Sequence, residues 1–132
     1  MRKTFKKFAA SVMALSFLTI GLTGISASAA SENDYGQLTG SRSGSFVTVN
    51  LHNKTTTSRY AQVSAYSYTS TGAYIDHYGI EGVVGGYNSS DGGNIGFSNI
   101  RLKPGSYYKA YGYLYFNQTP YGTPVASLDL SL

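Results

Sequence analysis

From residue 59 the chain alternates apolar and polar positions. Ala61, Val63 and Ala65 fall on one side of an extended backbone, and Tyr60, Gln62, Ser64, Tyr66 and Tyr68 on the other. A period of two is the mark of a strand. The same pattern returns later, with Tyr108, Ala110, Gly112, Leu114 and Phe116 opposing Tyr107, Lys109, Tyr111, Tyr113 and Tyr115. In all, seven strand-like runs are read, at residues 35–41, 45–53, 59–69, 73–80, 94–100, 106–117 and 124–132. No stretch after residue 30 shows helical periodicity. These runs, each bounded by turn residues, predict an all-β fold, a single antiparallel β-sandwich of about seven strands.

The punctuation supports that reading. Ser70-Thr71-Gly72 offers a glycine between two alternating runs, so the third and fourth runs are expected to form a hairpin. Lys103-Pro104-Gly105 reads as a type II turn, with proline presetting one φ and glycine supplying a positive one. Residues 85–93 and 118–122 read as open loops, and residues 31–34 as a frayed start.

The first 30 residues follow another pattern. Arg2, Lys3, Lys6 and Lys7 lead into the apolar stretch 8–20, then Gly21 and Gly24 break it, and Ser26, Ala27, Ser28, Ala29 and Ala30 supply small side chains. A basic start, an apolar middle and a small-residue end are the parts of a secretory signal peptide, here Gram-positive bacterial in style. Cleavage is expected after Ala29 or Ala30, leaving 31–132 as the β-sandwich domain of a secreted, extracellular protein. An uncleaved anchor fits less well, because Ser11, Ser16, Thr19 and Thr23 interrupt the apolar run. With no cysteine in the chain there is no disulfide and no lipid-modified cysteine.

Setting the leader aside changes the charge picture. The chain carries formal net charge +4, yet all six acids lie after Ala30 with only six basic residues, so the domain itself is neutral. Scattered basic residues on a neutral domain lack the footprint that phosphate contacts need, so no nucleic acid is expected as a partner, and no membrane after cleavage.

All thirteen tyrosines fall after residue 30. Which side of the strands they take is decided by their company. Gln62, Ser64 and Lys109 share the tyrosine side, and burying them unpaired costs free energy that Val63, Ala65, Leu114 and Phe116 do not. The tyrosines are therefore expected to face water. If the third and sixth runs are sheet neighbours, Tyr60, Tyr66, Tyr68, Tyr107, Tyr111, Tyr113 and Tyr115 share one face. That face is either a recognition surface or cross-strand reinforcement.

The stretch Leu102, Lys103, Pro104, Gly105, Ser106, Tyr107, Tyr108 resembles the corner before the sixth strand of fibronectin type III and other immunoglobulin-like sandwiches. The resemblance implies that Tyr108 is a buried corner tyrosine whose hydroxyl bonds back to the corner backbone. It implies architecture and no particular function.

Catalysis has little to work with. His52 is expected to face outward, and Asp76 and His77, being adjacent on a strand, point to opposite faces and cannot act as two members of a triad. No nucleophile or metal-protease motif is present, and nothing pairs two acids for glycoside hydrolysis. No enzyme, metal or cofactor is expected. The loop from Asn88 through Asp91 to Asn94 has oxygen ligands but not a calcium-loop spacing, and reads as a turn. Sequons at Asn53, Asn88 and Asn117 mark expected surface loops. The function expected is a secreted, non-catalytic binding module using its tyrosine face, for cell-envelope or extracellular polysaccharide. The alternative is a structural or interaction protein, self-assembling or directed against another secreted or surface protein.

Overall fold

A computed structural model describes residues 26–132. Eight strands follow one another: β1 (Ser26–Glu32), β2 (Gly36–Ser43), β3 (Phe46–Asn53), β4 (Arg59–Tyr68), β5 (Tyr74–Val84), β6 (Asn94–Arg101), β7 (Tyr107–Leu114) and β8 (Ala126–Ser131). They build two four-stranded sheets, ordered β1-β2-β3-β6 and β5-β4-β7-β8. Every pairing is antiparallel. No helix among the described residues is long and apolar enough to cross a membrane.

The alternating side chains explain why the sheets stack. Leu38 on β2, Val47, Val49 and Leu51 on β3, Ala61, Val63 and Ala65 on β4, Ala110 and Leu114 on β7, and Leu128 and Leu130 on β8 are all buried between them. Small residues set the spacing. A β-carbon on Gly112 would come within 2.9 Å of Leu38 Cδ1 and 3.1 Å of Leu51 Cδ1, so these two leucines of the first sheet occupy the space a side chain at 112 would need.

The third and fourth predicted runs do form a hairpin, β4 with β5, closed by Gly72 at a φ of 89°. The third and sixth are neighbours, β4 with β7. Tyr108 is buried, at 3% exposure, and its hydroxyl accepts the Gly105 N–H at 3.0 Å. Ser67, also buried, donates to the Lys103 carbonyl at 2.8 Å and ties β4 to the same corner.

The small-residue segment ahead of the expected cleavage point forms β1 together with Ser31 and Glu32, zipped residue for residue along β2 from Ser26 opposite Ser43 to Glu32 opposite Gln37. Several expectations are corrected, the first being that Ser31 and Glu32 are paired in a strand and not frayed. Asn33 and Asp34 are not frayed either, because the Asn33 side chain accepts the N–H groups of Tyr35 and Gly36. The expected cleavage point thus lies within a strand, while residues 1–25 of the leader lie outside the described residues. Gly105 does not take the positive φ of a type II turn. Glycine is needed there for room, since a β-carbon would stand 2.6 Å from the Tyr68 carbonyl oxygen. β5 runs on to Val84, through two glycines that resemble turn signals. β7 stops at Leu114, so Phe116 leaves the sandwich and is 63% exposed, where an inward position had been expected. Asn53 is fully buried, donating to the carbonyls of Thr57 and Gly85 and accepting from the Thr55 N–H and hydroxyl. It staples two loops and is no surface sequon, whereas Asn88 and Asn117 are exposed.

Candidate functional site

The outer face of the β5-β4-β7-β8 sheet gathers the tyrosines, because every residue alternating with the buried positions of β4 and β7 must project there. The registers arrange them in rows across the sheet. Glu81, Gln62, Tyr113 and Ser127 form one row, and Gly79, Ser64, Tyr111 and Asp129 the next. His77, Tyr66, Lys109 and Ser131 follow, and then Tyr74, Tyr68 and Tyr107. All seven predicted tyrosines are on this face: Tyr60, Tyr66, Tyr68, Tyr111, Tyr113 and Tyr115 are half-buried by one another, and Tyr107 is exposed.

Tyr66 is the hub. Its ring is stacked with Tyr68 at 6.1 Å between centroids and with His77 at 5.2 Å, and meets the rings of Tyr111 and Tyr74 edge-on at 5.6 and 6.3 Å. Tyr60 and Tyr115 form a second edge-on pair at 6.0 Å. Such geometries lock rings without hiding their free faces.

Polar bonds hold the other end. The Tyr115 hydroxyl donates to Gln62 Oε1 at 3.0 Å, and Gln62 Nε2 donates to Glu81 Oε1 at 3.1 Å. Partial burial, and then the Glu81 carboxylate, push the Tyr60 hydroxyl above its usual pKa. Burial does the same to Tyr68, reinforced by the Tyr111 hydroxyl, and to Tyr113, where neighbouring Tyr66 adds to it. These phenols stay protonated donors across the physiological range.

Between the two aromatic groups the face dips. Ser64 and Gly79, opposite each other in the register, leave an open groove of about 470 Å³ walled by Gln62, Tyr66, Glu81 and Tyr113. Its size suits a small molecule or a segment of a polymer.

Sequence reasoning missed β5's share of the face: Tyr74, His77, Gly79 and Glu81. The signal was the hairpin, but a bulge at Ser67/Tyr68 shifts the register, so counting outward from Gly72 misassigns every partner. Asp76 lies off the tyrosine face, where its carboxylate accepts the N–H groups of Lys103 and His77, which hold it below the usual carboxylate range. The His77 ring meets the Tyr74 hydroxyl at 2.9 Å instead. Glu81 and Asp129 both project from this sheet, but they sit on its two edge strands. Three strand spacings, about 14 Å, lie between their backbones. In the 85–93 loop the Asp91 carboxylate is engaged by the Ser89 hydroxyl and the N–H groups of Gly85 and Gly93, and these bonds lower its pKa. No group of three or more acidic, histidine or cysteine side chains is placed to hold a metal among the described residues.

No family model matches the chain, and no curated protein does. Among solved structures it is similar to a β-glucuronidase from glycoside hydrolase family 2, with a TM-score of 0.42 and 9% sequence identity over 83% of this chain. The chain spans 11% of the length of that protein.

Proposed function

We propose that the chain is exported, loses its leader, and acts outside the cell as a non-catalytic binding module whose tyrosine face holds a neutral polysaccharide. The observation that carries this reading is the groove over Ser64 and Gly79, flanked by rings already fixed in place and by the hydrogen-bonded Gln62–Glu81 pair. Ring faces stack on the apolar faces of sugars while phenol, amide and carboxylate groups meet sugar hydroxyls. Rings immobilised before the ligand arrives lose little further side-chain entropy on binding. A domain of zero net charge suits an uncharged polymer, and an open face admits a chain longer than the groove.

The sheet orders support placing the domain among immunoglobulin-like sandwiches of the fibronectin type III kind. Strands β2-β3-β6 and β5-β4-β7-β8 follow the A-B-E and C′-C-F-G orders, and the Tyr108 corner precedes the F position.

Retention on insoluble cell-wall polysaccharides tests the binding reading. The exported protein is expected to sediment with the polymer, and the double substitution Tyr111→Ala, Tyr113→Ala to remain in the supernatant. Equal retention of the two proteins would sink it.

A further inference from the structure

The four edge strands of the two sheets differ in how well they resist pairing with another chain. β5 carries Asp76 and Glu81 and a bulge against β4, β6 has a register shift against β3 and Asn99 at a φ of 58°, and β8 has six residues, with Asp129 among them. Acids, bulges and shortness are the devices that keep sheet edges from extending. β1 is the fourth edge, and it covers β2.

β2 has fewer of those devices: it is eight residues long, GQLTGSRS, with no acid and no proline, its one charged residue is Arg42, lying over the Tyr108 ring, and its seven pairs with β1 run without a shift. Cleavage after Ala29 or Ala30, the position proposed above, severs β1. Gly40, Ser41, Arg42 and Ser43 lose their partners Ala29, Ser28, Ala27 and Ser26 across the ladder, and Thr39 follows if Ala30 is removed. The removed segment also takes away Ala29, which packs against the core. The stump keeps Glu32, held by Lys54 at 3.1 Å, so the rest of the sheet stays anchored.

We infer that export processing uncovers the 39–43 stretch of β2 as a pairing edge, and that its occupant is the same stretch of a second copy. This inference rests on the export reading. Two-fold antiparallel pairing centred on Ser41 sets Thr39 against Ser43 of the second copy and Arg42 against Gly40. The facing residues are then hydroxyls, and the two arginines do not oppose one another. The neutral charge of the domain puts no long-range repulsion in the way. The precursor, with β1 in place, has this edge filled and stays monomeric, so processing acts as the switch.

The full chain is expressed in a secreting host, the N-terminus of the exported protein is read by mass spectrometry, and its mass is followed by light scattering over a range of concentrations. A companion protein in which another secretory leader replaces residues 1–25 retains β1. The expected result is an exported protein beginning at Ala30 or Ser31 that dimerises as concentration rises, while the β1-retaining form stays monomeric. Ser41→Lys, which places like charges face to face at the two-fold, is expected to weaken the dimer several-fold with an unchanged circular dichroism spectrum. A correctly processed protein that remains monomeric overturns the inference. So does a dimer that persists when β1 is retained or when Ser41 is lysine. An N-terminus upstream of Ser26 overturns it at the processing step, and that failure is distinguishable because the terminus is read directly.

Discussion

Replacing Tyr108 by phenylalanine removes one oxygen atom and leaves the ring in place. The ring keeps its packing and the Arg42 guanidinium that lies 4.4 Å from its centroid. What is lost is the 3.0 Å bond from the Gly105 N–H, in a corner also held by the Ser67 bond to Lys103 and by the Ser106 N–H to the Tyr68 carbonyl. A made hydrogen bond contributes about 1 kcal/mol, and an N–H stranded away from water costs about 1–3 kcal/mol. Gly105 is partly accessible, which favours the lower half of that range. The expected destabilisation is therefore about 1–2 kcal/mol. In a domain of this size that corresponds to a fall in Tm of roughly 5–15 °C. Urea unfolding followed by tyrosine fluorescence measures it, with an unchanged m-value showing that only stability has moved. Tyr107→Phe is the control, because Tyr107 is 55% exposed and its change is expected to stay within about 0.5 kcal/mol. Equal losses in the two variants, or a loss under about 0.5 kcal/mol for Tyr108→Phe, would refute the reasoning.

Gly79→Leu fills the groove from its floor. Its β-carbon meets the Val63 carbonyl at 3.2 Å and Ser64 Cβ at 3.3 Å, contacts an edge strand can relieve by a small shift, so the fold is expected to survive while polysaccharide retention drops; undiminished retention places the ligand elsewhere. The phenols of Tyr60, Tyr68 and Tyr113 are pushed above the ordinary tyrosine value of 10.0 in the folded protein, chiefly by burial. Because folding raises these pKa values, their contribution to stability is complete below pH 10.0 and is lost as pH climbs through the folded values. Phenolate absorbance of the native protein is expected to show a late-titrating group of tyrosines that merges with the rest once the chain is unfolded; a single transition in both states contradicts this.

The parts of the fold that were legible in the sequence are those where one face of a strand is buried and the other wet. Ala61, Val63 and Ala65 announce themselves against Gln62 and Ser64, and the same contrast placed the tyrosines outward. The Tyr108 corner was legible because its turn residues lie within hearing of one another along the chain. β1 was not, since SASAASE has neither bulk nor alternation and is placed by contacts remote in sequence, chiefly its ladder to β2. Asn53 looked like a surface asparagine because its four bonds come from the loop at Thr55 and Thr57 and from Gly85, and no local pattern encodes the latter. The groove depended on the register of β5, which a single bulge displaced.

Arg59 is 5% exposed, with its guanidinium between the rings of Tyr35 and Phe116, at 5.1 and 5.5 Å, and bonded to the Thr55 hydroxyl and the Phe116 carbonyl. A buried cation usually leans on a carboxylate, and that partnership fails once the acid takes up a proton. Here the charge is solvated by π faces, a hydroxyl and an amide oxygen, none of which is protonated in acid. The end of the sandwich where β4 begins and β7 has just ended is thereby closed by a clasp indifferent to the acidity of the surroundings. For the exported protein proposed above, in a medium whose pH the cell does not set, this fastening would hold without the cell's own buffering.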